Sequence, residues 1–244
     1  MRGDKILIQE KHRNAAAELA HILFPLLRKI DGRYAISIGG ESGSGKSELA
    51  VALAESLEED GTGTTIIQQD DYFVYPPKTN DTRRRQDIKC VGLSEVRLDL
   101  LDDHVRSILN GANAIEKPLV VYQEDRITQE TLPLDAVDVV IIEGTYTTLL
   151  KNVNSHIFID RTYKETRSAR LKRNREADDP FLERVLEIEH EIVSTHRYCA
   201  DIIVTTSFAV VTQIPEGKPC KYPANHGRLS KEVINEENPH RARV

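Results

Sequence analysis

At 244 residues the chain has room for one α/β domain with extensions and is long enough to bury a sizeable core. Its 33 Lys and Arg against 39 Asp and Glu leave a formal net charge of -6, which argues against nucleic acid or an anionic membrane as the main partner and makes any anion site a local feature. Cys90, Cys199 and Cys220 form no CxxC pair, so neither a disulfide framework nor a zinc site is indicated; with no apolar run long enough to cross a bilayer, a soluble cytoplasmic protein is expected.

Residues 9–27 place Ala16, Leu19, Ala20, Leu23, Leu26 and Leu27 at helical spacing, predicting an amphipathic helix on the sheet edge. A short apolar run at 33–38 ends in Gly39-Gly40, and good helix formers follow at 47–56, which reads as strand, glycine loop, helix. Further strands are predicted at 64–69, 137–142, 156–159 and 201–205, with helices at 94–109, 165–175 and 180–196. The 137–142 run is too apolar for one exposed face, and a strand buried on both faces implies a parallel sheet. The alternation therefore predicts a three-layer α/β/α fold with a mainly parallel, doubly wound sheet. The last thirty residues, with Pro215, Pro219, Pro223 and Pro239 among polar residues, read as an irregular extension.

Gly40-Glu41-Ser42-Gly43-Ser44-Gly45-Lys46-Ser47 matches GxxxxGK[ST] between a predicted strand and helix, as a phosphate-binding loop requires. Glycines let the loop turn sharply with its amides facing phosphate oxygens, Lys46 adds charge, and the helix N-terminus that carries Ser47 and Glu48 favours polyphosphate. The Ser47 hydroxyl is positioned to ligate Mg²⁺. No Asn/Thr-Lys-x-Asp guanine-reading element follows a late strand, so ATP is the expected nucleotide.

Two acids follow apolar strands at the carboxyl edge of such a sheet, Asp70 and Glu143. Glu143 stands where a metal-holding acid belongs, and Asp70 is placed to accept a proton from an attacking hydroxyl and to approach the metal. Arg167, Arg170, Arg173 and Arg175 are candidates for a small helical lid that stabilises the transferring phosphoryl.

These pieces, with Gln69-Asp70-Asp71-Tyr72-Phe73, Val121-Tyr122, Ile142-Glu143-Gly144, His156–Asp160 and Ala200–Val204, resemble in their order the uridine kinase and phosphoribulokinase family of P-loop kinases. The resemblance covers about residues 34–205. It implies that Asp70 is the base, Glu143 an Mg²⁺-associated acid, Tyr122 a wall of the acceptor pocket, and the arginines a lid. It also divides the chain into an N-terminal helical extension (1–32), a P-loop kinase domain (33–206) and a C-terminal extension (207–244).

The implied activity is transfer of the γ-phosphate of ATP to a hydroxyl of a small molecule, with a nucleoside as default acceptor and Tyr72, Arg84, Asp87, Tyr122 and Arg126 around it. The chain departs from uridine kinases where they carry Asn-Phe-Asp-His-Pro, having Arg83-Arg84-Arg85-Gln86-Asp87-Ile88-Lys89 in a region that reads as a loop; Asp87 is the nearest counterpart of the ribose-gripping Asp. It also lacks a His just beyond Tyr122. The arginine triplet keeps open an anionic sugar phosphate or hydroxy acid as acceptor, and a non-kinase ATPase switch is the reading from another class. A homo-oligomer is compatible with the sequence.

Overall fold

A computed structural model describes residues 6–172 and 179–213. All ten predicted strands and helices appear, their described ends within a few residues of those expected. The main sheet has the order β2-β5-β1-β6-β7-β8, formed by β1 (Tyr34–Gly40), β2 (Thr64–Gln68), β5 (Val139–Gly144), β6 (Ser155–Ile159), β7 (Ile202–Val204) and β8 (Val210–Thr212). All neighbours run parallel except β7 and β8.

Strand alternation divides the core into two layers. Ile36, Ile38, Ile141 and Ile157 face one side, where they meet Ala16, Leu19 and Leu23 of α1 (Glu10–Leu27) and Leu49, Leu53 and Leu57 of α2 (Lys46–Glu58). Helix α1 packs on α2 and reaches β8 at the sheet edge, so the N-terminal helix shares the core of the sheet. On the other side Ala35, Val140, Ile142 and Phe158 meet Leu101, Val105 and Ile108 of α4 (Leu98–Leu109). Every residue of β1 and β5 is buried, as a run too apolar for one wet face demands.

The sequence reading placed no element at 77–86, 114–133 or 210–212. The segments β3 (Ala114–Val121) and β4 (Arg126–Pro133) form an antiparallel hairpin of their own. Pro118 and the charged Lys117 break the strand pattern there, yet Lys117 is buried between Asp71 (2.9 Å) and Glu130 (2.7 Å), which removes the penalty of an unpaired buried ammonium.

The arginine triplet is not in a loop but in α3 (Pro77–Gln86). No side chain of the residue preceding this helix caps it; Asp125, in the hairpin turn, instead accepts from the Lys78 N–H at 2.7 Å and from Thr79. Helices α5 (Tyr163–Lys172) and α6 (Pro180–Val193) complete the domain. Among the described residues no helix is long and apolar enough to cross a membrane.

Candidate active site

The carboxyl ends of β1, β2 and β5 open onto one crevice, because β5 lies between the other two. Strand β1 delivers the glycine loop there. Gly43 (φ +72°) and Gly45 (φ +104°) occupy left-handed backbone that L side chains resist. A Cβ on Gly43 would come within 2.7 Å of Arg170 Cγ, and one on Gly45 within 3.0 Å of Phe208 Cζ, so both positions exclude side chains. Among the described residues the buried Ser44 hydroxyl has no hydrogen-bond partner, and Lys46 Nζ folds back to the Glu41 carbonyl at 2.9 Å. A polyphosphate fits this cradle: it would offer acceptors to an ammonium that otherwise turns to its own loop.

The Glu41 side chain does not face the phosphates. It accepts from the Tyr163 N–H at 2.6 Å and pairs with His190 Nδ1 at 2.7 Å, so it ties the loop to α5 and α6. Thr166 donates to the Ser42 carbonyl at 2.9 Å, adding a second tie. Glu48 is buried in α2 and its charge acts on Lys11 of α1.

Register brings Glu143 opposite Ile38 on one flank and Gln68 on the other. Ser47 Oγ and Gln68 Nε2 donate to Glu143 Oε1 at 3.0 and 3.1 Å. Burial, with the Asp70 charge adding to it, raises the Glu143 carboxyl pKa to about 7, against the opposing pull of Lys46, Ser47 and Gln68. A carboxyl so disfavoured as an anion is relieved by a cation. Ser47, Glu143 and Asp70 supply hard oxygen donors that fit Mg²⁺. Among the described residues no group of three or more His, Cys, Asp or Glu side chains could hold a metal unaided, and Mg²⁺ commonly draws further ligands from phosphate and water.

The two aspartates after β2 have opposite environments. Asp70 is exposed at the crevice, whereas Asp71 is buried and accepts from Lys117 Nζ at 2.9 Å and from the Val120 N–H at 3.0 Å. Asp71 therefore anchors the hairpin, and Asp70 is the exposed aspartate of the two. On the lid side Arg167 is exposed, 3.7 Å from Glu183, while Arg170 is buried, donates to the Tyr163 carbonyl and Thr166, and reaches Glu183 at 3.4 Å. Arg173 and Arg175 lie outside the described residues.

Of the residues expected around the acceptor, Tyr72 is displaced into the core: it has no exposed surface and its hydroxyl bonds His104 Nδ1 at 2.8 Å. Asp87 accepts from the Lys89 N–H as a turn cap. Tyr122 remains partly exposed at the hairpin end, and Arg126 pairs with Glu124 at 2.8 Å.

The arginine triplet is already engaged. Arg84 meets Glu95 at 2.5 and 2.9 Å and Glu189 at 3.2 Å; Arg85 pairs with Asp81 and Asp179; Arg83 stacks on Tyr75 at 4.3 Å. Glu95, Glu189, His190 and Tyr146 were not singled out from sequence. The one local signal is the helical spacing of Glu189 from Val185, Leu186, Ile192 and Val193, which puts a carboxylate on the apolar face of that helix.

The family model for the phosphoribulokinase / uridine kinase family matches residues 35–178, more than half of the chain. The chain belongs to this family. It is 30% identical over 197 residues to the bifunctional alpha-galactosidase/sucrose kinase AgaSK of Mediterraneibacter gnavus, an alignment covering 75% of this chain and 21% of that protein. The uridine kinase of Leuconostoc citreum is 28% identical over 187 residues, covering 69% of this chain and 85% of the relative.

Among solved structures, one titled a possible uridine kinase from Bacillus stearothermophilus superposes with a TM-score of 0.57 at 19% identity, covering 78% of this chain and 97% of that one. Phosphoribulokinase from Rhodobacter spheroides gives 0.58 at 10%, covering 76% and 82%; at such identities the likeness establishes the fold. As a member of this kinase family the chain is an ATP-dependent phosphotransferase acting on a small molecule.

Proposed function

We propose that the chain transfers the γ-phosphoryl group of ATP to a hydroxyl of a neutral, sugar-bearing acceptor, either a nucleoside or a free sugar. The observation that carries this reading is the exposed Asp70 beside Glu143 at the end of the glycine-loop crevice, with its neighbour Asp71 buried elsewhere. Asp70 accepts the proton of the attacking hydroxyl, which leaves the oxygen a better nucleophile as the bond to phosphorus forms. Lys46 and the lid arginines, from the pool Arg167, Arg170, Arg173 and Arg175, compensate charge on the transferring group. Ser47, Glu143 and Asp70 would hold Mg²⁺, which when bound would neutralise phosphate charge. The use of ATP alone supports a cytoplasmic setting, since Cys199 is disulfide-bonded and the cysteines therefore do not argue for it.

Neutrality of the acceptor is supported by the arginine triplet: Arg84 and Arg85 each contact two carboxylates, so an arriving anion would have to compete with both. A screen of ADP release over nucleosides, sugars, sugar phosphates and small hydroxy acids tests this. The fastest turnover is expected with a neutral compound, and a sugar phosphate turning over fastest would reinstate the anionic reading. In the same assay Glu143→Gln should shift the Mg²⁺ titration to higher concentration; an unaltered titration removes Glu143 from the metal site.

A further inference from the structure

Tyr146 lies three residues past Glu143, where the chain leaves β5, and only 2% of it is exposed. Its N–H donates to Gln69 Oε1 at 2.7 Å, which fixes it against the residue that precedes Asp70. Among the described residues its hydroxyl, though buried, has no hydrogen-bond partner, and neither has Gln69 Nε2. Two unsatisfied polar groups beside a base are unusual, since buried hydroxyls and amides are almost always paired.

The surroundings of that hydroxyl are charged. Glu189 and Glu95 act on it to raise its pKa further than burial alone, and Arg84 opposes them. Glu95 already accepts from Arg84, from Asn80 Nδ2 at 2.8 Å and from the Gly92 N–H at 2.8 Å. Glu189 differs: among the described residues its hydrogen bond is the 3.2 Å contact to Arg84, which leaves its second oxygen to accept from a ligand.

Burial raises the Glu189 carboxyl pKa and Arg84 pulls it back, and the next residue, His190, bonds Glu41 of the glycine loop at 2.7 Å, which places this part of α6 beside the loop. The Arg84 and Glu189 side chains keep 15% and 13% of their surface in solvent, so the cluster opens outward through them.

We propose that Tyr146, Gln69, Glu189 and Arg84, with Glu95 holding the guanidinium, form the specificity pocket that grips adjacent hydroxyls of a neutral sugar ring. Each sugar hydroxyl is at once donor and acceptor. Glu189 accepts a hydrogen bond from one, while Tyr146, Gln69 and Arg84 donate to the oxygens. Two carboxylates against one guanidinium leave the pocket negative, which disfavours phosphate and carboxylate at the same place. The proposal rests on the kinase reading for the position of the reacting hydroxyl, but the grip itself is a binding property.

The full chain and its Tyr146→Phe and Glu189→Gln variants test it, with uridine, glucose, sucrose and glucose 6-phosphate as probes. Binding is measured calorimetrically with a non-hydrolysable ATP analogue present, and turnover by ADP release. Loss of one such hydrogen bond corresponds to about a tenfold weaker affinity. Tyr146→Phe should therefore raise Kd and KM of the best neutral probe about tenfold with kcat changed less than about twofold, and should not lower Tm, because its hydroxyl has no protein partner to lose. Glu189→Gln should narrow the preference for the neutral probe over glucose 6-phosphate.

Unchanged affinity in Tyr146→Phe, a fall in its Tm that tracks the lost turnover, or failure of every neutral probe to bind the wild-type chain would overturn the pocket. Neutral binding that Tyr146→Phe weakens, without any ADP release, would uphold the pocket and defeat the kinase reading.

Discussion

Asp70→Asn is expected to lower phosphoryl transfer by about 10²- to 10⁴-fold while nucleotide still binds, because the amide keeps the side chain's shape and loses the proton acceptor. The structure sharpens this expectation through its neighbour. Asp71 sits one residue away with the same chemistry, but it is buried and held by Lys117 and the Val120 N–H, so it cannot substitute. Asp71→Asn should act on a different quantity, lowering Tm by loosening the hairpin and leaving Lys117 short of a counter-charge. Steady-state turnover, nucleotide affinity and Tm measured on both variants separate the two roles. Wild-type turnover in Asp70→Asn would make Asp70 an ordinary loop residue.

Lys46→Ala should reduce transfer by about 10²- to 10³-fold, the scale of removing one donor aimed at developing charge. The fold should survive: the described hydrogen bond of Lys46 is to the Glu41 carbonyl of its own loop, and the loop is independently tied to α5 and α6 through Glu41 and Ser42. Circular dichroism and Tm close to wild type, with ADP release near background, are the expected results. Normal turnover would defeat the phosphate-loop assignment, and a collapsed Tm would show that the lysine supports the fold instead.

Much of the site was legible because its chemistry is local. The glycine loop carries its own backbone demands within eight residues, and the apolar strands preceding Asp70 and Glu143 place those acids at the same sheet edge whatever the remaining contacts are. A run as apolar as Val139–Ile142 can only be a doubly covered strand, so the parallel sheet followed from the sequence alone.

The acceptor side was decided by partners far apart in the chain. Whether Arg84 faces a substrate or a protein carboxylate depends on Glu95, 11 residues away, and Glu189, 105 away. Helix α3 looked like a loop because its capping carboxylate, Asp125, arrives from a hairpin 46 residues downstream. Tyr72 and Tyr146 are both tyrosines close after a strand; the hydroxyl of one finds His104 and becomes core, that of the other finds no hydrogen-bond partner among the described residues and is left facing the acceptor cluster. A side chain's type and spacing state what it can bond. Only packing decides which groups are close enough to satisfy it, and so which are left to bind a ligand.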